Sequence, residues 1–248
     1  MRGMNDLRIV CELIRYQYKQ YMRSGKWIVP WIALVGIYSF MYSVAPYKIV
    51  NSFSIMGLFL FSVMAWVGVT NQEVEPEVSE QIMVLRVQSE RKYYISHILF
   101  LGIISVAVTV ISIAVPVASH ILHGSALFDR KVVWSDFAGG FLLMFSCAFV
   151  GTMVGELFHP RIIEEKKIGL GLTFFLALLA IVRNGVIYKY SFSKYILWIV
   201  PPVSDVVSWF SNRDYFDMAK AVAGFALLML YGVILAVIKV ELLRKKKF

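Results

Sequence analysis

Residues 94–119 read YISHILFLGIISVAVTVISIAVPVAS, an apolar run that contains no Asp, Glu, Lys or Arg. A helix of about 20 apolar residues crosses the roughly 30 Å hydrocarbon core of a bilayer, so this run is long enough to span a membrane. Comparable runs recur between charged breaks, which predicts six transmembrane helices. The predicted spans are residues 27–44, 53–70, 94–119, 137–154, 168–187 and 221–238.

The composition places the whole chain in a bilayer. Hydrophobic residues make up 59% of the 248 residues and charged residues only 17%, which is outside the usual range of soluble domains. The segments between the predicted spans are too short to form a separate aqueous domain. We therefore expect an all-α, polytopic protein of the cell membrane, in which residues 1–248 form a single transmembrane domain.

The distribution of basic residues predicts the orientation. If both termini lie in the cytoplasm, most of the 25 Lys and Arg residues fall on the cytoplasmic side, in agreement with the positive-inside rule. This bias, together with attraction to anionic membrane lipid, accounts for the net charge of +9 without a nucleic-acid partner. Cys11 falls in a cytoplasmic segment and Cys147 in a span, so no disulfide is expected.

Residues 1–26, which precede the first span, are predicted to form an interfacial helix. From residue 6 to residue 23, apolar residues recur at helical spacing and charged residues occupy the other side. A helix of this kind lies along the inner leaflet. The predicted apolar stripe is Leu7, Val10, Cys11, Ile14, Tyr18 and Tyr21, and the charged side is Arg8, Glu12, Arg15, Lys19 and Arg23.

A charged interruption, NQEVEPEVSEQIMVLRVQSERKYY at residues 71–94, separates the second and third spans. Its proline suits the first turn of a helix and its acids complement the positive end of the helix dipole, which predicts a short helix over residues 76–87. Val78, Ile82 and Leu85 then share one apolar edge, which little of this chain is available to cover. The edge therefore predicts a contact with another molecule.

This layout resembles the permease subunits of type-2 ATP-binding-cassette (ABC) exporters. The resemblance covers essentially the whole chain by organisation, and its local motif is the stretch EQIMVLRVQSERKYY. In that family, a glutamate-led apolar helix is followed by a small turn, a basic residue and an aromatic residue that enters the third span. The proline usual in that turn is absent here. The matching positions are Glu80, Ile82, Leu85, Ser89, Arg91 and Tyr93.

The resemblance implies that residues 71–93 form a cytoplasmic coupling loop, whose helix inserts into a separate ABC ATPase. The charged side of the N-terminal helix would lie beside it as part of the connecting helix. A second copy of the chain, or a homologous permease, would complete the transporter. The predicted coupling residues are Pro76, Glu77, Glu80, Ile82, Leu85, Arg86, Ser89 and Arg91.

ATP chemistry is expected on the partner. The chain lacks a Gly-x-x-x-x-Gly-Lys-Ser/Thr phosphate loop, so we expect ATP and Mg²⁺ on the ATPase, with no cofactor and no catalytic residue on this chain. The resemblance suggests an amphipathic peptide, an antibiotic or a lipid-like molecule as cargo.

Residues 188–217 are predicted to form an outer segment before the last span. The apolar stretch within it is about eight residues long and is broken by the Pro-Pro pair at 201–202, so it is too short to cross and either re-enters the bilayer or lies in the interface. Nearby, Arg183 and Asn184 interrupt an apolar run, where a charge is costly unless it has a function or reaches an interface. With Glu156, they are the candidate residues of a substrate path.

Two enzymatic or metal-binding alternatives have less support. The paired glutamates at 164–165 are typical of one intramembrane protease family, but Gly169 stands where that pattern calls for an arginine. His120 and His123, with Asp129 nearby, lack a dependable third ligand, so no metal site is predicted.

Two further alternatives stay open. A membrane scaffold or sensor would use the acidic helix to dock a cytoplasmic partner without transporting anything. A secondary transporter would need mid-span acids that carry protons or sodium, and such acids are scarce in this sequence.

Overall fold

A computed structural model describes residues 6–43, 46–122, 127–163 and 165–245, apart from the side chain of Glu77. Ten helices account for most of this part of the chain. They are α1 Asp6–Ser24, α2 Ile28–Met41, α3 Ile49–Gln72, α4 Glu77–Val87, α5 Glu90–Leu122, α6 Trp134–Leu157, α7 Lys166–Lys189, α8 Ser193–Leu197, α9 Val203–Ser208 and α10 Met218–Lys245.

Five of these helices, α3, α5, α6, α7 and α10, are long and apolar enough to cross a membrane. The chain is therefore a multi-pass helical membrane protein. The first predicted span, residues 27–44, contains a shorter helix. This helix, α2, has 14 residues, which corresponds to a length of about 21 Å at 1.5 Å per residue. It ends just before Tyr42, whose hydroxyl hydrogen-bonds with the Ser52 hydroxyl of α3 at 2.7 Å.

The tightest packing joins α3 and α6 at the centre of the bundle. A Cβ added to Gly151 or Gly155 of α6 would overlap the carbonyl oxygen of Phe61 or Ala65 in α3. These glycines stand four residues apart, and they let the two backbones approach closely, as small residues do between helices in membranes. On the other side of α6, Gly232 of α10 lies against a phenylalanine ring.

The N-terminal helix α1 packs on α5, and its buried face differs from the predicted stripe. Ile9, Leu13, Gln17 and Tyr21 are buried, and of these only Tyr21 belongs to the predicted stripe. Leu7, Cys11 and Tyr18 of that stripe are exposed. The buried residues recur every four positions and face α5, where the Gln17 amide donates to the Ser96 hydroxyl at 3.1 Å. The position of α5 decides which face of α1 is covered.

The two ends of the bundle differ in what they carry. At one end, a second apolar cluster joins α1, α4 and the first turn of α5 to the end of α10 through Leu13, Val84, Tyr94 and Leu243. We call this end the α1/α4 side. At the opposite end, the backbones of Tyr47 and Phe128 pair and Lys48 contacts Asp214, so the loops there close over the bundle.

The segment between α7 and α10 folds into two short helices with different surroundings. The second of them, α9, packs against α7 and α3 and buries Val203 and Val206, and Phe210 beyond its end is buried as well. The first, α8, exposes Tyr195 and Ile196. Part of the predicted outer segment, residues 188–217, is thus inserted among the spans and part lies on their surface.

Candidate functional site

The helix α4 is amphipathic, and only one of its faces is covered by this chain. Its three edge residues are exposed, with 65% of Val78, 58% of Ile82 and 76% of Leu85 accessible. Val84 and Val87 on the opposite face are buried. An exposed apolar row of this kind on a short, otherwise anchored helix marks an interaction surface. We call these three residues the α4 edge.

The limits of α4 follow from its sequence. Pro76 precedes the first turn in an extended conformation, and its carbonyl accepts from the amides of Ser79 and Glu80. Gln88 ends the helix in the left-handed region at φ 57° while its amide donates to the Val84 carbonyl at 2.9 Å. The chain then reverses into α5, where the Ser89 hydroxyl accepts from the Lys92 amide at 3.4 Å. The predicted helix over residues 76–87 thus agrees with α4 and its capping proline.

A buried ion pair anchors the covered face of α4. The Glu80 carboxylate accepts from the Tyr94 hydroxyl and from the Arg161 guanidinium, each at 3.0 Å. Arg161 also donates to the Tyr94 oxygen at 2.8 Å. Because Tyr94 lies in α5 and Arg161 between α6 and α7, this triad, which we call the α4 anchor, ties α4 to three membrane helices. Glu80 is therefore turned away from the α4 edge, and its role is to hold the helix in place.

A second acid, Glu75, lies just before α4 and joins it to α1. The hydroxyls of Tyr93 and Tyr16 donate to its two carboxylate oxygens. Burial raises the pKa of Glu75 above its ordinary value, although the hydrogen bond from Tyr93 acts in the opposite direction. The loop between α3 and α4 is thus fixed to α1 and α5.

Deeper in the bundle, the ends of α6 and α10 meet through a fully buried ion pair. The Glu156 carboxylate contacts the Lys239 ammonium, and the two side chains are 0% and 4% exposed. The Asn71 amide of α3 donates to the other oxygen of Glu156 at 3.0 Å, and His97 of α5 lies beside both charges. Desolvation of two charges is costly, so a pair of this kind persists only where further hydrogen bonds support it, as they do here.

His159, between α6 and α7, completes the polar region. Its Nδ1 accepts from the Arg161 amide at 3.2 Å, which requires a ring without a proton at that position. Burial, together with the nearby Lys239 charge, lowers the pKa of His159 to about 3. A cavity of about 20 Å³, large enough for about one water, lies between Glu75, Glu80, His159 and Lys239. The α4 anchor and the buried ion pair thus form one connected polar region at the α1/α4 side.

The other residues predicted for coupling lie near α4 and face outward. Arg86 and Arg91 are exposed, as are Ile82 and Leu85. Glu77 begins α4, and its side chain lies outside the described part of the structure. On α1, the predicted connecting residues are all exposed: Arg8, Glu12, Arg15 and Lys19.

The residues predicted for a substrate path occupy three different environments. Arg183 is buried and forms an ion pair with Asp205 of α9 at 2.8 Å. The side chain of Asn184 is exposed, and its backbone amide donates to the Ser204 hydroxyl at 3.1 Å. Glu156 is at the opposite end, in the pair with Lys239. In this structure Arg183 therefore fastens α9 to α7, and Glu156 fastens α6 to α10.

The structure describes some of the residues that were considered for a metal site or a protease site. His120 is buried, and its Nδ1 accepts from the Phe128 amide at 3.1 Å, while His123 lies outside the described residues. Of the paired glutamates, Glu165 precedes α7, and Glu164 also lies outside the described residues.

Sequence reasoning did not find three of the charged partners. Lys239 directly follows the last predicted span, residues 221–238, yet it is buried against Glu156. Arg161 lies between the fourth and fifth predicted spans, and Asp205 lies in the predicted outer segment. The available signal was a lysine within the apolar run ILAVIKVELL, since a charge among apolar residues of a span is expected to have a partner.

Comparison with protein-family models, with curated proteins and with solved structures gives no match.

Proposed function

We propose that this chain is the membrane-spanning permease subunit of an ATP-driven exporter of the type-2 ABC kind. The observation that carries the proposal is the α4 edge: an apolar row exposed on a helix whose other face is locked to the ends of the spans. A partner bound to this edge would displace α4, and the α4 anchor would pass that displacement to α5, α6 and α7.

Under this proposal, the α1/α4 side is cytoplasmic and α2 is the sixth crossing. Two observations support the crossing. Lys26, just before α2, pairs with Glu73 at the α1/α4 side at 2.8 Å, and Tyr42, just after it, bonds to Ser52 near the opposite end. The short α2 would then cross together with its flanking residues. The buried C-terminal end of α10 lies beside α1, as an even number of crossings requires.

The partner under this proposal is a cytoplasmic ABC ATPase that binds ATP and Mg²⁺, while this chain supplies no catalytic group. A second copy of the chain, or a homologous permease, would complete the path. The cargo would be an amphipathic peptide, an antibiotic or a lipid-like molecule.

The proposal is tested by coexpressing this chain with the ABC ATPase whose gene lies nearest to its own. The complex is then purified and its ATP hydrolysis is measured. We expect a stable complex, and we expect Ile82→Asp with Leu85→Asp to abolish it, because two carboxylates would have to be buried in the partner's groove. The matched control is Ser79→Asp with Gln81→Asp, which adds the same charge to α4 and keeps the α4 edge.

If the variant with Ile82→Asp and Leu85→Asp copurifies with the ATPase at the wild-type level, the proposed docking is overturned. An ATPase that binds while its hydrolysis and vesicle transport do not depend on this chain would favour a non-transporting scaffold. Transport in vesicles driven by an ion gradient without ATP would favour a secondary transporter.

A further inference from the structure

A wide apolar groove runs along the surface between α2, α3 and α7. Its volume is about 530 Å³, and no charged side chain lines it. Its two hydroxyl groups are already used, because Ser62 donates to the Leu58 carbonyl at 3.1 Å and Thr173 to the Gly169 carbonyl at 2.9 Å. The groove therefore offers hydrocarbon contacts alone, and its walls include Ile37, Val63, Trp66, Ala177 and Ile181.

The length of the groove matches one leaflet of a bilayer. Along α7 it extends from Leu170 to Ile181, which corresponds to about 16 Å at 1.5 Å per residue. Half of a hydrocarbon core of roughly 30 Å is about 15 Å. A single acyl chain that enters from the α1/α4 side would thus fill the groove.

The end of the groove at the α1/α4 side carries a cation. There it continues into a smaller cavity that shares Val69, Leu170 and Thr173 and is also lined by Lys166. Glu73 in the same cavity is already compensated by Lys26 at 2.8 Å. Lys166 is exposed at the N-terminus of α7, where free amides add positive charge.

Among the described side chains that line this end of the groove, Lys166 carries a charge that no described ion pair offsets. Lys167 follows Lys166 and is also exposed, and Glu165 precedes them as an exposed acid. A cationic mouth above an apolar groove of one leaflet's depth suits an amphipathic molecule with an anionic head and a long tail.

We propose that this groove holds one acyl chain of an anionic glycerophospholipid from the leaflet at the α1/α4 side, with its phosphate near Lys166 and Lys167. The lipid would fill the gap between α2 and α7, which the protein leaves open, and would remain bound during purification. The site needs no ATPase, so the proposal stands or falls separately from the proposed function.

A second apolar groove supplies an internal control. It lies between α5 and α6 at the opposite end, has a volume of about 440 Å³ and has no charged residue among its lining side chains, which include Val110, Ala114, Trp134 and Phe141. Since no charged residue lines it, it should accept hydrocarbon without selecting a headgroup.

The test is to reconstitute the full chain with equal amounts of phosphatidylglycerol and phosphatidylcholine, extract it in mild detergent and count bound lipids by native mass spectrometry. We expect an excess of about one phosphatidylglycerol over phosphatidylcholine per chain. Ala177→Trp should remove it by filling the groove, and Ala114→Trp should leave it in place. Lys166→Gln with Lys167→Gln, which changes only exposed side chains, should reduce the preference for phosphatidylglycerol by about fivefold or more.

Three results would overturn the proposal. The first is equal retention of the two lipids by the wild-type chain, and the second is undiminished phosphatidylglycerol on Ala177→Trp. The third is a wild-type dimer without bound lipid that Ala177→Trp converts to a monomer, which would assign the groove to a second copy of the chain.

Discussion

The two ends of the bundle use charged residues in different ways. At the α1/α4 side, two ion pairs are buried and hold helices together, Glu156–Lys239 and Glu80–Arg161. At the opposite end, the pair Arg183–Asp205 fastens the short helix α9 to α7, and the exposed pair Lys48–Asp214 joins two loops. The first arrangement can transmit a displacement of α4 to the spans, because Glu80 lies in α4 and its carboxylate accepts from Tyr94 of α5.

The largest difference between the two ends is expected from matched lysine substitutions. Lys239→Met leaves Glu156 buried without its counter-ion, which should lower the free energy of unfolding by about 3–5 kcal/mol. Lys48→Met removes one partner of an exposed pair and should leave stability unchanged within error. Unfolding in detergent micelles, followed by circular dichroism, measures both.

The double variant Glu156→Gln, Lys239→Met sharpens this test. It removes both charges, so it should recover much of the stability that Lys239→Met loses. If Lys239→Met and Lys48→Met lower the free energy of unfolding equally, the charged residues at the two ends do not differ in their contribution to stability.

A smaller effect is expected from the α4 anchor. Glu80→Ala removes the acceptor of Tyr94 and Arg161 and should cost about 1.5–3 kcal/mol, concentrated in α4. Hydrogen exchange should then become faster in the amides of α4 while the core of α3 and α6 stays protected. The control is Glu12→Ala, an exposed acid of α1. Unchanged exchange in α4 would show that apolar contacts alone hold this helix.

The smallest expected effect is on how the stability of the folded chain depends on pH. Because the pKa of His159 is lowered to about 3 in the folded chain, the unfolded chain binds a proton first as the pH falls below about 6.5. His159 therefore contributes stability at neutral pH that is lost on acidification, by no more than about 1.4 kcal/mol at pH 5.5. Glu75 acts in the opposite sense, since its raised pKa favours proton uptake by the folded chain.

The contribution of His159 is isolated by comparing the wild-type chain with His159→Asn, whose amide oxygen can replace Nδ1 as the acceptor. We expect a flatter dependence of the unfolding temperature on pH between 7 and 5.5 in the variant. A steeper dependence in the variant would contradict the assignment.

The sequence predicted the helical elements better than the contacts among them. The spans and α4 follow from apolar length, a proline and a row of three apolar residues, all of which are local signals. The partner of Glu156 could not be read in this way, because Lys239 lies 83 residues away and is brought to it only by the packing of α6 and α10. The covered face of α1 was misjudged for the same reason, since α5 selects it.

The central claim is that the α4 edge faces the cytoplasm and is covered by an ATPase. The most direct test is labelling of Leu85→Cys by a membrane-impermeant maleimide in a Cys11→Ser background, where the remaining Cys147 is buried. In inverted membrane vesicles, we expect rapid labelling of the chain alone and protection when the ATPase is bound, while Lys194→Cys in α8 should react only from the other side. Labelling of Leu85→Cys from that other side, or at the same rate with and without the bound ATPase, would contradict the account.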